Sequence, residues 1–213
     1  MAESSPPGIL PSGPEALRVS PLAHMHRELA AAAVSGRRGV VVEEVPFLHQ
    51  IGLRAEPGSP AHRRFAEALG FGLPAAVGEV AGVPEDVAVL WLGPDEFLTI
   101  APSETLESLG LSDRLLEALD EHPGQVVDLS ANRTVLELRG GRARDALEKG
   151  VPADLHPRQF PPARAITTTL GPVPVLLWCT QEETYWVLVR SSFADYLARW
   201  LMDALREYRH DPG

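Results

Sequence analysis

The sequence contains the same order of structural elements twice, in two segments that share little identity. The first segment is VLWLGPDEFLTIAPSETLESL (89–109) and the second is LLWCTQEETYWVLVRSSFADYL (176–197). Each is typical of a strand, an acidic turn, a strand with an aromatic residue, a serine cap and a helix. A strand pair with one helix cannot bury both sheet faces alone. The repeat therefore predicts an α+β fold of two similar lobes, each an antiparallel sheet with helices on one face, packed with pseudo-twofold symmetry.

The expected lobes are residues 21–124 and 125–208, with a tail at 209–213. Residues 1–20 are rich in proline, serine and glycine and predict a disordered or draped arm. They lack a basic start followed by an apolar core, as a secretory signal would have. No stretch approaches the roughly 20 apolar residues of a membrane helix. We expect a cytoplasmic protein.

In the first lobe, local signals predict helices and strands with identifiable ends. The segment 59–70 fits a helix with Ser59 as N-cap and Gly70 at its C-terminal end, and 86–102 fits a hairpin. The other expected elements are a helix ending at Gly36, a long bent strand or strand pair over 39–56 with Pro46 at the bend, and a helix over 103–124 with Ser103 as cap and Leu115, Leu116 and Leu119 as its apolar stripe.

The second lobe follows the same order. The expected elements are an interrupted strand at 125–140, a short helix at 141–150, three strands within 163–190, and a helix at 191–208 with Phe193, Leu197, Trp200, Leu201, Ala204 and Leu205 on its apolar face.

Charge excludes two classes of partner. The formal net charge is −10 and the pI is near 5.2. Nucleic acid and anionic membranes bind basic surfaces, so neither is an expected partner. Lys149 is the sole lysine, and nearly all positive charge is arginine. Arginine suits interfaces with carboxylates, although a GC-rich genome gives the same bias.

The sequence carries no recognised catalytic motif. It has no Gly-x-Ser-x-Gly elbow, no phosphate-binding loop and no dinucleotide fingerprint. Cys179, the single cysteine, lies in an apolar run and is expected to be buried and inert. His24 and His26 lack a third ligand nearby, so no bound metal is expected. Gly140-Gly141 could form an anion site at a helix start, but a tight turn is favoured.

A polar cluster, DLSANR (128–133), interrupts the strand at 125–140. Asp128 could accept hydrogen bonds in an Asx-type turn, pair with Arg133 or Arg158 at an interface, or act in catalysis. We interpret the cluster as a strand corner at the lobe junction, with Arg133 reaching a partner. Arg133→Ala should then weaken assembly more than it changes the fold.

The segment VPADLHPRQFPPARA (151–165) holds four prolines. Such a segment has little freedom to lose on binding, and arginine and phenylalanine are common interface anchors. It could equally be a rigid connector. The candidate interface residues are Asp128, Arg133, His156, Arg158 and Phe160.

Four pieces in this order carry a resemblance: SPLAH, VVDLSANRTVLELRGGRARDALEKG, DLHPRQFPPARA and RSSFADYLARWLMDAL. Together they resemble the gamma subunits of heterotetrameric sarcosine oxidases, from about Ser20 to Glu207. The resemblance implies a fold similar to the aminomethyltransferase (T-protein) family and a non-catalytic, assembly role beside alpha, beta and delta subunits.

The resemblance also implies the chemistry of the complex. Such oxidases convert sarcosine to glycine, hydrogen peroxide and formaldehyde or 5,10-methylenetetrahydrofolate. FAD, FMN and NAD are expected in alpha and beta and zinc in delta, with no cofactor and no catalytic residue in this chain. The isolated chain is then expected to be inactive.

Two alternatives stay open. One is the equivalent subunit of a related N-methyl amino acid oxidase or dehydrogenase. The other is a free-standing folate-binding or aminomethyltransferase-type protein, whose site could draw on Asp128, Arg133 and Tyr185. A full T-protein is expected to be longer than 213 residues, with an additional C-terminal domain.

Overall fold

The computed structural model describes residues 18–36, 38–103 and 110–210. Nearly all of the arm expected at 1–20 and the end of the tail lie outside this part of the chain. The α-helices are α1 (His26–Ala32), α2 (Pro60–Leu69), α3 (Leu111–Leu119), α4 (Ala143–Glu148) and α5 (Ala194–Ala204). Short 3-10 turns occupy Ala23–Met25, Ser191–Phe193 and Arg206–His210.

Ten strands build two sheets within the described residues. They are β1 (Val41–Val45), β2 (His49–Arg54), β3 (Val80–Gly82), β4 (Ala88–Gly93), β5 (Glu96–Ala101), β6 (Gln125–Asp128), β7 (Arg133–Arg139), β8 (Arg164–Leu170), β9 (Val173–Gln181) and β10 (Thr184–Arg190).

The two antiparallel sheets have equivalent strand orders. Sheet A runs β8-β9-β10-β7-β1 and sheet B runs β3-β4-β5-β2-β6. Each position in one sheet corresponds to the same step of the repeat in the other. The predicted α+β fold of two similar, pseudo-symmetric lobes is confirmed.

The two sheets exchange their edge strands. β1 precedes β2 in the chain but pairs with β7 in sheet A, whereas β6 precedes β7 but pairs with β2 in sheet B. The chain therefore crosses between the sheets twice, at Pro46 and again at 129–132. The sheets do not divide at the expected lobe boundary of 124 and 125, because strand pairing is set by partners far apart in sequence.

Buried side chains form three apolar layers. One lies between sheet A and helices α1, α4 and α5, and another between sheet B and helices α2 and α3. The third lies between the sheets and contains Trp178 and Trp186 from sheet A with Leu90 and Leu98 from sheet B. The two indoles meet edge to face, with 5.2 Å between ring centroids. The order is thus helices, sheet, sheet, helices.

Most local signals correspond to the observed ends of elements. Ser59 caps α2 by accepting from the N–H of His62, Pro60 is its first residue, and Gly70 ends it with a φ of 80°. The hairpin of β4 and β5 turns at Pro94-Asp95, and Pro46 separates β1 from β2.

Four expectations about the helices need correction. The helix expected over 103–124 is α3, with Gly110 rather than Ser103 before its first residue; residues 104–109 lie outside the described part. Leu116 is 57% exposed, because Leu111, Leu115 and Leu119 share the buried face at four-residue spacing. Phe193 is 43% exposed, because it precedes α5 in a 3-10 turn and does not follow the helical period.

The first helix is also shorter than expected. α1 ends at Ala32, and Val34 then forms a β-bridge with Val40 rather than extending the helix to Gly36. Among the described helices, none has the length and apolar character that crossing a membrane requires.

Candidate functional site

The polar cluster at 128–133 forms the second crossover between the sheets. The carboxylate of Asp128 accepts hydrogen bonds from the N–H of Ser130 at 2.9 Å and from its hydroxyl at 2.6 Å. These two bonds, the hydroxyl bond first, lower the pKa of the exposed Asp128. Of the three interpretations of Asp128, the Asx-type turn matches these contacts.

Sheet B holds this crossover in place through one buried residue, Gln50 on β2. The backbone N–H of Gln50 donates to the Ser130 hydroxyl at 3.1 Å, and its carbonyl accepts from the N–H of Leu129 at 2.7 Å. Its side-chain amide donates to the carbonyl of Arg133 at 2.9 Å. Arg133 is therefore positioned at the start of β7 by contacts to the opposite sheet.

Arg133 stands directly opposite Arg190 in the register of β7 and β10. Burial, and then the positive charge of Arg190, lower the pKa of the Arg133 guanidinium. Both side chains line a cleft of about 160 Å³ between the sheets. The sequence singled out Arg133, but nothing in the local pattern predicted that Arg190 would face it.

The proline-rich segment places its candidate residues differently. His156 and Arg158 are exposed, in a turn where the N–H of Arg158 donates to Nδ1 of His156 at 3.2 Å. Phe160 is only 2% exposed, and its ring lies nearly parallel to Tyr185, 6.4 Å between centroids. Phe160 thus belongs to the apolar core of this chain, while an interface role for the exposed residues stays a prediction.

A second cavity, of about 420 Å³, lies beside this aromatic pair, with Cys179 and Arg144 in its wall. Cys179 is buried, and burial raises the pKa of its thiol to about 11. Burial likewise raises the pKa of Tyr185 to about 12. Both groups are protonated at neutral pH, so Cys179 is an inert core thiol, as the sequence indicated, rather than a thiolate nucleophile.

The three residues considered for a folate site do not converge. Tyr185 pairs with Leu138, whereas Arg133 pairs with Arg190 at the other end of β10. Tyr185 and Arg190 are five positions apart along β10, or about 17 Å at the usual rise, so Tyr185 is far from Arg133. The carboxylate of Asp128, at the end of β6, is engaged by hydrogen bonds from Ser130.

No group of three or more metal-binding side chains gathers anywhere in residues 18–36, 38–103 and 110–210. His24 and His26 contact different carboxylates: His24 pairs with Asp195 and His26 with Glu44, each at 2.9 Å. Their two-residue spacing therefore does not bring them to one ligand.

Gly140 lies between β7 and α4, where its backbone passes close to the backbone of Gly39. Its φ is 114°, and a Cβ built there would lie 2.5 Å from the carbonyl oxygen of Gly39. Its N–H donates to the carbonyl of Glu183 at 2.9 Å. These contacts match the tight turn that the sequence favoured over an anion site.

Glu44 is a buried carboxylate that no sequence motif singled out. It receives hydrogen bonds from Ser20, Leu22, His26 and Thr134. The available signal was the two-residue period of β1, which places Glu44 on the same face as the buried Val42.

Comparison with known proteins adds an independent line of evidence. A family model described as "Sarcosine oxidase, gamma subunit family" matches residues 54–207. The sarcosine oxidase subunit gamma of Corynebacterium sp. (strain U-96) is 54% identical over 192 residues, covering 90% of this chain and 92% of the relative. The protein of the same name from Arthrobacter sp. is 53% identical over 192 residues, with the same coverage of 90% and 92%.

Solved structures agree with these relatives. A chain of heterotetrameric sarcosine oxidase from Corynebacterium sp. U-96, in complex with pyrrole 2-carboxylate, superposes with a TM-score of 0.88 and 52% identity, covering 92% of this chain and 99% of that one. The glycine cleavage aminomethyltransferase T of Bartonella henselae matches at a TM-score of 0.65 and 15% identity, covering 87% of this chain and 57% of that one, and shares the fold alone. The chain belongs to the sarcosine oxidase gamma subunit family.

Proposed function

We propose that this chain is the gamma subunit of a heterotetrameric sarcosine oxidase and acts in assembly rather than catalysis. The observation that carries the proposal is identity above 50% over nine-tenths of both this chain and its relatives. The matched region spans both lobes, since it covers 90% of the chain. A fold match alone would not carry the function.

The chemistry of the described residues supports the assembly role. The thiol of Cys179 is held protonated by burial, and the carboxylate of Asp128 is engaged in a turn. The buried carboxylate of Glu44 is surrounded by donors within the chain. His26 also contacts the Glu44 carboxylate at 2.9 Å, but that carboxylate already accepts hydrogen bonds from Ser20, Leu22 and Thr134.

The complex then supplies the reaction. Alpha, beta and delta subunits are the proposed partners, with FAD, FMN and NAD in alpha and beta and zinc in delta. Sarcosine is oxidised to glycine, with hydrogen peroxide and formaldehyde or 5,10-methylenetetrahydrofolate as the other products. A cytoplasmic location stays a prediction from the sequence.

Co-expression of a tagged chain with alpha, beta and delta subunits tests this proposal. We expect a stable complex of equal stoichiometry, yellow from flavin, that consumes oxygen when sarcosine is added. The isolated chain should be colourless and should release no hydrogen peroxide from sarcosine. Sarcosine turnover by the isolated chain would contradict the non-catalytic role, and failure to join the complex would contradict the subunit role.

Calorimetric titration of the isolated chain with tetrahydrofolate tests the alternative function, a free-standing folate-binding protein. We expect no heat of binding, since Tyr185 on β10 and Arg133 on β7 lie at opposite ends of this strand pair. Saturable binding would instead favour a folate-binding protein.

A further inference from the structure

Two arginines face each other across neighbouring strands at the edge of the layer between the sheets. Arg133 on β7 and Arg190 on β10 are direct cross-strand partners. Arg133 is two residues from Val135, and Arg190 is two residues from Leu188. Val135 and Leu188 lie in the layer between the sheets, and side chains two apart on a strand share a face, so both arginines project to that layer. Like charges placed directly opposite destabilise a strand pair.

The guanidinium of Arg133 has an unmet hydrogen-bonding capacity. Its Nη1 is buried and makes no hydrogen bond. No described carboxylate forms an ion pair with Arg133 or Arg190. Glu96 acts on Arg133 at a distance, but its carboxylate already pairs with Arg54 at 2.8 Å. Arg133 is half-buried, and a charged nitrogen buried without a partner costs free energy, so an anion from outside the chain would stabilise this site.

The surroundings of the two arginines limit what that anion can be. The cleft measures about 160 Å³, and its walls include the apolar side chains of Leu92, Leu98 and Leu188. Pockets for cofactors and drug-sized ligands are usually about 300–1,000 Å³, so this cleft suits a single side chain. Arg190 is exposed at its rim and Arg133 lies deeper, an arrangement that allows entry from solvent.

We propose that the cleft of Arg133 and Arg190 receives the carboxylate of an aspartate or glutamate side chain from a partner subunit. Guanidinium groups bind carboxylates through paired, charge-assisted hydrogen bonds. Two of them converging in an apolar cleft match one carboxylate and complement its negative charge. This inference rests on the proposed subunit role and identifies one contact by which the subunit is held.

The test compares Arg133→Met with the surface substitution Arg64→Met in the co-expressed complex. Methionine keeps much of the arginine volume and removes the charge. We expect Arg133→Met to reduce the tetramer recovered per tagged chain at least about tenfold, and Arg190→Met to reduce it less. Arg64 lies on α2, on the outer side of sheet B, and its substitution should leave the recovery unchanged.

In the isolated chain, by contrast, we expect Arg133→Met to cause no loss of thermal stability. Removing a half-buried charge that has no partner should leave the thermal midpoint of Arg133→Met equal to wild type or higher. A clearly lower midpoint would overturn the proposal, because Arg133 would then have a partner within its own chain. Wild-type recovery of the tetramer with Arg133→Met would also overturn it.

Sodium acetate and glutarate serve as free-carboxylate probes of the isolated chain. If they raise the thermal midpoint of wild type but not of Arg133→Met, while Arg133→Met still assembles at wild-type yield, the cleft binds a small acid and the partner contact is wrong. If the wild-type chain joins no complex, the proposed function fails and this inference fails with it. If the wild-type chain assembles normally and Arg133→Met assembles equally well, only this inference is wrong and the proposed function stands.

Discussion

The hydroxyl of Thr134 on β7 donates a 2.6 Å hydrogen bond to the carboxylate of Glu44 on the neighbouring strand β1. From the other side, the Ser20 hydroxyl donates to the same carboxylate at 2.5 Å, and the N–H of Leu22 donates to it at 3.3 Å. The side chain of Glu44 has no exposed area. The Glu44 carboxylate thus links the segment before α1 to both β1 and β7. β1 is an edge strand of sheet A and comes from the first half of the chain.

Glu44→Gln should lower the free energy of unfolding by about 2–4 kcal/mol, because an amide cannot accept from all the donors that surround the carboxylate. Urea unfolding of the full chain measures this. Glu43→Gln is the matched control, since Glu43 is the exposed neighbour on the same strand and pairs with Arg139. Its substitution should cost less than about 1 kcal/mol. Equal losses in both variants would refute a special role for Glu44.

Phe160→Ala should lower the free energy of unfolding by about 3–5 kcal/mol, because the ring is buried against Tyr185. Phe193→Ala, at a position 43% exposed, should change it by less than about 1 kcal/mol. Denaturant titration of the two variants side by side gives the comparison. A near-neutral Phe160→Ala would return Phe160 to the surface role that the sequence suggested.

Stability should fall as pH rises above about 8.5. The pKa of Cys179 in the folded chain is raised to about 11 by burial, above the value of about 8.5 for an unfolded cysteine. The unfolded chain therefore loses its proton first. The contribution is complete below the unfolded pKa and decreases as pH rises toward 11, by about 1 kcal/mol near pH 9.5.

Unfolding free energies measured between pH 7.5 and 9.5 test this dependence, with those limits chosen at about one unit either side of the unfolded pKa. Cys179→Ala is the control, and its stability should decline much less over the same range. A decline of equal size in the variant would assign the effect to other groups.

Gly140→Ala should destabilise the chain by at least about 2 kcal/mol, through its positive φ and the contact of a new Cβ with the carbonyl of Gly39. Gly72→Ala is the control, because a Cβ at Gly72 has no heavy atom within 4 Å. Thermal unfolding of the two variants decides. Similar midpoints would show that the turn adapts without cost.

Several features could be predicted from the sequence because their causes are local. Ser59 and Gly70 cap α2 through groups within one turn of the helix. The hairpin at Pro94-Asp95 follows from turn residues between two alternating runs. The repeated order of elements then implied two lobes, since each unit exposes an apolar sheet face that the other can cover.

The candidate interface could be predicted only in part. The polar cluster at 128–133 stood out because it interrupts an apolar strand, and it proved to be a crossover between sheets. Phe160 lies in a segment rich in proline and arginine, which is typical of interfaces, but its ring is buried in the core of this chain. Composition identifies residues able to anchor a partner, whereas only packing decides which of them remain at the surface.

The sequence by itself determined most of the elements, some of their ends and their duplication, because capping, turn chemistry and side-chain period act over a few residues. The tertiary structure alone decided that β1 and β6 exchange sheets, that Glu44 is enclosed by donors, and that Arg133 faces Arg190. These relationships include contacts between distant positions, such as Glu44 with Thr134, which are 90 residues apart. A strand's period indicates which side chains share a face, but not which strand lies beside it.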